Sequence, residues 1–438
     1  MIKILDARAL GADAVVAALA RSPEAVAPEI HRAVDEILAA VRARGDAALL
    51  DYTARLDGFA PAAATGLAIA PAELDAAERA VGPEARAALA YAAERIERYH
   101  AAAAPKSWRM TDEHGSVLGQ EVRPLDRVGI YVPGGRAAYP STVLMTAVPA
   151  RVAGVREIVL VTPPGPGGRV EPAVLAAARI AGVTEGWRVG GAQAVAALAY
   201  GTATIRRVDK IVGPGNIYVA LAKARVFGEV GIDMVAGPSE VVVVADGAAD
   251  PGWVAGDLLA QAEHDPMARA VLITDSGELI PRVAAALERQ LAALPRRAIA
   301  AQALEANGAL VRVASLDDAV ELANRLAPEH LELMVKVPAA LLARVRHAGA
   351  VFMGGHTPEV VGDYVAGPNH VLPTAGTARF ASPLGTEDFV KRSSVIEYSR
   401  SGLASALPHL RALSRIEGLG GHGRAAELRL ETDGGTSG

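Results

Sequence analysis

The feature that most constrains this chain is a repeated unit: four or five nearly continuous apolar residues that stop at a glycine–proline turn. Residues 128–132 end at Pro133-Gly134-Gly135, residues 158–161 at Pro163-Pro164-Gly165, and residues 208–212 at Gly213-Pro214-Gly215. Helical stretches at 173–181 and 216–227 lie between and after them. A strand that is apolar at every position must be covered on both faces, which is the condition of a parallel sheet flanked by crossover helices. The pattern restarts after Gly237-Pro238-Ser239: apolar runs at 241–244, 270–273, 309–313, 331–335 and 350–353 alternate with helices at 253–263, from 279, and at 316–326. Two such series predict two Rossmann-like parallel-sheet domains of the α/β class. Residues 1–104 read mostly as helix, with Val34, Ile37, Leu38 and Val41 at helical spacing, and the tail has a helical ending near 404–413. The expected fold is therefore two α/β domains with additional helical N-terminal and C-terminal segments.

Composition narrows the function. At 51% hydrophobic residues the chain can bury a large core, and with only 4% aromatics that core must be built from Ala, Val and Leu. A formal net charge of -5 argues against a nucleic-acid partner held by a global positive field. With no cysteine, disulfides, thiolate metal sites and a cysteine nucleophile are all excluded. The N-terminus lacks the apolar region of a secretory signal. The longest uncharged stretch, between Arg188 and Arg206, is rich in Gly, Ala and Thr and is a poor membrane span. The expectation is a cytoplasmic protein without a membrane partner.

Polar residues in the loops are the candidates for chemistry. No G-x-G-x-x-G follows an apolar strand as the dinucleotide fingerprint requires, and Gly165-Pro166-Gly167 and Gly213-Pro214-Gly215 read equally as tight turns. Asn216, at a helix start, suits a cap or a ligand contact. Gln261 and His264 are three apart at a helix end and share a face, which fits either two metal ligands or a helix-end histidine. Glu329-His330, at a helix-to-strand junction, is either an acid/base pair or a capping pair. Asp363, in a glycine-bounded polar loop, is a ligand or a turn former. Glu417 and His422 lie in a glycine-rich setting near the chain end, where side chains are more often exposed than functional.

In order along residues 105–425, the longer motifs are GIYVPGGR from Gly129, YPSTVLM from Tyr139, GGAQA from Gly190, KIVGPGN from Lys210, AGPSE from Ala236, QAEH from Gln261, APEHLE from Ala327, NHVLPT from Asn369 and EGL from Glu417. This series resembles the L-histidinol dehydrogenase family. The resemblance implies an NAD-dependent enzyme with one zinc ion per subunit, a homodimer with shared active sites, that oxidises L-histidinol through L-histidinal to L-histidine at the end of histidine biosynthesis. Carried over by position, Gln261, His264, Asp363 and His422 would bind zinc, and Glu329 and His330 would be the acid/base residues. Tyr131, Gln193 and Asn216 would contact NAD. Ser239, Gln261, His264, His330, Asp363, Glu417 and His422 would line the substrate site, the last two reaching into the partner subunit. The implied division is an N-terminal helical segment at 1–26, a metal-binding catalytic domain from 27–130 and 240–379, an NAD domain at 131–239, and a C-terminal segment at 380–438 that reaches the partner. Two rivals remain at this point: a related NAD and zinc enzyme for another alcohol, such as a sulfopropanediol, and a zinc hydrolase that needs no NAD. A catalytically silent binding protein is a third.

Overall fold

The structure, a computed structural model, describes residues 2–19, 26–134 and 138–431. Gly135 and Arg136 of the first motif lie outside the described residues, as do parts of the two terminal segments. The chain divides into two compact units, Met1–Ala103 with Leu125–Phe389, and Ala104–Pro124 with Val390–Gly438.

The larger unit contains the two expected sheets. One has the strand order Lys3–Asp6, Ala309–Arg312, Arg269–Thr274, Glu240–Ala245, His330–Met334 and Ala350–Met353, all parallel. Its central strand, EVVVVA, is buried throughout, and successive valines point to opposite faces. Val241 and Val243 enter a core with Leu258, Val283 and Leu304, while Val242 and Val244 enter another with Val320, Leu322 and Val15. Two-sided coverage is why this strand reads as one apolar run.

The other sheet has the order Ala68–Ile69, Glu185–Arg188, Glu157–Thr162, Arg127–Tyr131, Lys210–Val212 and Gly231–Ile232; only the first, an edge strand, is antiparallel. Val128 and Ile130 face a core with Leu144, Leu175 and Ile96, whereas Val159 and Val161 face one with Val34, Leu38 and Leu198.

This packing corrects the expected division. Residues 28–103 do not join the sheet built from 240–353. Val34, Ile37, Leu38 and Val41 form the apolar face of helix Pro28–Arg44, and that face is buried against the second sheet. Leu74, Ala77 and Ile96 are buried on its opposite side. The first segment is not purely helical either, because Lys3–Asp6 pairs with Ala309–Arg312 as an edge strand. At the other end, residues up to Phe389 belong to the larger unit, where Phe389 is fully buried.

The smaller unit is a three-stranded antiparallel sheet, ordered Val390–Glu397, Val117–Pro124, Trp108–Thr111, with two packed helices, Arg400–Ile416 and Gly420–Glu431. Ile396, Leu118 and Met110 are aligned across its three strands, so they share one face. Met110 and Ile396 are 53% and 69% exposed, and Leu413 and Ile416 on the first helix are 58% and 81% exposed. Within this unit, then, apolar side chains remain uncovered.

Candidate active site

In an open parallel sheet the strand order reverses at a switch point, and ligands sit beyond the carboxyl ends of the strands there. The second sheet has such a switch point. Its switch point lies between Arg127–Tyr131 and Lys210–Val212. Tyr131 ends the first of these strands, and Asn216 follows the second. The buried Tyr131 hydroxyl accepts from the Gly191 N–H at 3.0 Å, and burial pushes its phenol up to about 12. Gln193 is fully buried on the helix Gly191–Tyr200 and donates through Nε2 to Asp57 Oδ2 at 3.2 Å, while its Oε1 has no hydrogen-bond partner. Burial raises the Asp57 carboxyl. Asn216 caps the helix Ile217–Val226, its Oδ1 accepting from Tyr218 and Val219 N–H at 3.1 and 3.2 Å. The cap uses the amide oxygen and leaves the amide nitrogen as an exposed donor, so the structural and functional readings are compatible. Glycine is obligatory nearby: Gly213 has φ +109°, and a Cβ there would lie 2.2 Å from the Tyr131 carbonyl oxygen.

The first sheet presents its candidate residues differently, at the helix-to-strand junction expected from the sequence. Glu329 and His330 sit at the amino end of a strand. The helix Leu316–Leu326 stops at Ala327, a left-handed residue at φ 49°, followed by Pro328, and His330 opens the next strand. Register explains what this achieves. His330 pairs with Val241, so Glu240 lies beside the junction. The Glu240 N–H donates to Glu329 Oε2 at 2.9 Å, and its carbonyl oxygen lies 3.1 Å from His330 Nδ1. With Nδ1–H donating to that carbonyl, the His330 lone pair is on Nε2. Burial pushes His330 down to about 4, opposed by the Asp363 charge and the Glu240 carbonyl. It is a neutral imidazole at physiological pH. Glu240 itself is buried, paired with Arg269 at 3.2 Å and accepting from Ala375 N–H at 3.0 Å. Ser239 immediately precedes this strand, and its carbonyl oxygen accepts from the Arg269 N–H.

Around His330 gather Gln261 and His264 from the end of helix Pro251–Ala262, and Asp363 from the short helix Glu359–Tyr364. One amide position of Gln261 lies 3.3 Å from His264 Nδ1. With its nitrogen turned the other way, the amide donates to the two Glu359 oxygens at 3.2 and 2.9 Å. His330, Glu359 and Asp363 each bring a ligand atom within 4.8 Å of the others.

Glu359 and His370 belong to this cluster although the motifs pointed to neither as a site residue. Glu359 is buried, and its carboxyl is raised well above the ordinary range, first by desolvation and then by Asp363, Glu332, Glu329 and Asp257. A Glu four residues before Asp363 on one helix face was the available signal. His370 donates from Nδ1 to the Asp363 carbonyl oxygen at 3.0 Å and is lowered by burial, with Asp363 and His264 both acting on it. The loop is tied to the second sheet's helix Pro140–Val152, because Asn369 Nδ2 donates to the Met145 carbonyl oxygen at 2.6 Å. So much carboxylate among imidazoles and an amide is a donor set that a divalent cation would offset, and nitrogen and oxygen donors of this kind suit zinc.

Glu417 and His422 belong to the smaller unit. Glu417 closes helix Arg400–Ile416, and His422 is on the next helix; both are exposed in the single chain.

Comparison with known proteins adds the following. A family model described as histidinol dehydrogenase matches residues 20–430. A histidinol dehydrogenase of Geobacter metallireducens is 52% identical over 433 residues, which is 99% of this chain and 99% of the relative. One from Chromobacterium violaceum is 56% identical over 404 residues, covering 92% of this chain and 93% of its own. The crystal structure of histidinol dehydrogenase from Elizabethkingia anophelis superposes with a TM-score of 0.93 at 34% identity, covering 98% of each chain.

Proposed function

The chain belongs to the histidinol dehydrogenase family, and we propose that it oxidises L-histidinol through L-histidinal to L-histidine in two NAD-linked steps, with one zinc ion per subunit. The observation that carries this reading is the buried His330, its Nδ1 committed to the Glu240 carbonyl and Glu329 beside it, among a cluster of metal-binding side chains.

Gln261, His264 and Asp363, with His422 of the partner subunit, would hold the zinc. When bound, the metal would orient the substrate through its nitrogen donors. NAD would sit at the switch point of the second sheet, in reach of Tyr131, Gln193 and Asn216, and would take up one hydride in each step. The buried, unpartnered Gln193 oxygen and the close backbone approach at Gly213 fit a ligand there. Ser239, with Glu417 of the partner subunit, completes the substrate pocket in this reading.

The roles of the chain's own groups follow from their protonation. His330 Nε2 accepts the proton of the alcohol O–H as hydride leaves the carbon that bears the hydroxyl, giving the aldehyde. The second oxidation needs an oxygen nucleophile, because no cysteine exists to form a thiohemiacetal. Glu329 accepts a proton from water as it adds to the aldehyde while the protonated His330 returns its proton to the carbonyl oxygen, and the neutral His330 then takes the proton of the resulting hydrate as the second hydride departs.

The homodimer is supported by the uncovered apolar side chains of the smaller unit, Met110, Ile396, Leu413 and Ile416, and by the exposure of Glu417 and His422 in the single chain. Among the described residues no helix is long and apolar enough to cross a membrane, which fits a cytoplasmic enzyme. A relative specialised for another alcohol, or a hydrolase, is less well supported, since these relatives share the histidinol dehydrogenase name over nearly the full chain. The test is His330→Asn, assayed by NADH formation from histidinol and from histidinal separately. Loss of a general base predicts that both rates fall by about 10²–10⁴-fold. Near-normal turnover would remove His330 from the base role.

A further inference from the structure

Among the described residues, Lys223 is the largest fully buried side chain whose head group is charged, and it lies two turns along the helix that Asn216 caps. Its side chain is 3% exposed, and it forms an ion pair with Asp233, whose side chain is 1% exposed. Both partners also hold one residue. Lys223 Nζ donates to the Gly213 carbonyl oxygen at 2.9 Å, and the Gly213 N–H donates to Asp233 Oδ2 at 2.8 Å. Asp233 Oδ1 further accepts from the Met234 N–H at 2.6 Å. Gly213 thus has both backbone polar groups gripped by a buried, mutually neutralised pair, while its left-handed backbone presses against the Tyr131 carbonyl.

We propose that the Lys223–Asp233 pair is a positioning device for NAD: it fixes the Gly213–Asn216 loop against Tyr131 so that the dinucleotide meets a preformed site. The proposal rests on the reading of this loop as the NAD site. Helix and strand packing alone does not require a charged pair here, since an apolar pair of similar volume fills such space at least as well. What the pair adds is a donor and an acceptor aimed at the two peptide units that flank one residue, Gly213. Because its charges cancel, it acts on the shape of the site and not on attraction for the pyrophosphate.

The experiment is direct NAD binding, by calorimetry or tryptophan fluorescence, to the full chain as wild type, Asp233→Asn, Lys223→Met and Lys223→Arg. Asp233→Asn and Lys223→Met are expected to raise the NAD Kd about tenfold or more while the L-histidinol Kd stays within about twofold. In turnover, the KM for NAD rises and the KM for histidinol does not. Asp233→Asn and Lys223→Met change the local charge in opposite senses, so a rise in the NAD Kd in both reports lost positioning, whereas Kd shifts of opposite sign in the two would mark an electrostatic role and overturn the proposal. Lys223→Arg keeps the ion pair but moves the donor off Gly213, and it carries the test if the other variants do not fold; a raised NAD Kd is expected there too. Variants that are folded but bind NAD like wild type, with only a lower Tm, overturn the proposal and leave the NAD reading standing. A wild-type protein that does not bind NAD overturns both.

Discussion

Replacing Glu329 by Gln separates the two oxidations. Glu329 is buried and its Oε2 accepts from the Glu240 N–H at 2.9 Å. A glutamine carbonyl oxygen can keep that bond, so the side chain stays in place and the substitution removes chiefly the capacity to accept a proton. A positioned general base contributes about 10²–10⁴ in rate, or about 2.7–5.4 kcal/mol of barrier at 1.36 kcal/mol per decade. In the proposed chemistry that loss falls on the aldehyde step, where water must be activated. The alcohol step, which uses His330, is expected to slow less than about tenfold. The assay is single-turnover NADH formation starting from histidinol and, separately, from histidinal. L-histidinal should accumulate in the variant. Equal losses in both steps would refute the division of labour between Glu329 and His330.

Other consequences concern pH, the metal and the dimer. His330 is held down to about 4 by burial against an unperturbed 6.5, so the base stays neutral well below pH 6.5. An acid limb of kcat/KM centred near 6.5 and assigned to His330 by NMR titration would contradict this. The linkage has a matching sign: the unfolded histidine takes up its proton as pH falls through 6.5 and the folded one only near 4, so this contribution to stability is lost as pH falls across that window. His264→Asn and Asp363→Asn should each lower zinc content by metal analysis while far-ultraviolet circular dichroism is retained; full occupancy in both would remove them from the ligand set. If His422 serves the partner's site, mixing inactive His330→Asn and His422→Asn proteins under subunit exchange should recover about a quarter of wild-type activity, because only the mixed dimer has an intact site, and only one. No recovery despite proven exchange would place His422 in its own subunit's site.

The two parallel sheets were legible because strands buried on both faces carry their hydrophobicity at every position, as in Glu240–Ala245. The strands that escaped notice lack that signature. Glu185–Arg188 is EGWR, and Val390–Glu397 is mostly exposed on both faces within its unit. The packing of residues 28–103 on the second sheet was equally hidden, since the apolar stripe of helix Pro28–Arg44 says that it is covered but not by what. For the site, Gln261, His264 and Asp363 were accessible through motif and spacing, and the structure brings them around His330. Glu359 offered only its four-residue spacing to Asp363 as a signal, because its importance comes from burial beside other carboxylates, a property of the tertiary packing. The helix-to-strand junction of Glu329 and His330 was legible, but their contact with Glu240 was not, as it depends on the register between two strands distant in sequence.

The central claim is a metal-dependent, four-electron oxidation. Its most direct test is the number of NADH molecules formed per L-histidinol consumed by the purified protein, before chelation, after chelation, and after zinc is restored. The account predicts two NADH per histidinol, loss of both on chelation, and recovery of both with zinc. One NADH with histidinal released as the end product, or two NADH undiminished by complete removal of metal, would contradict it.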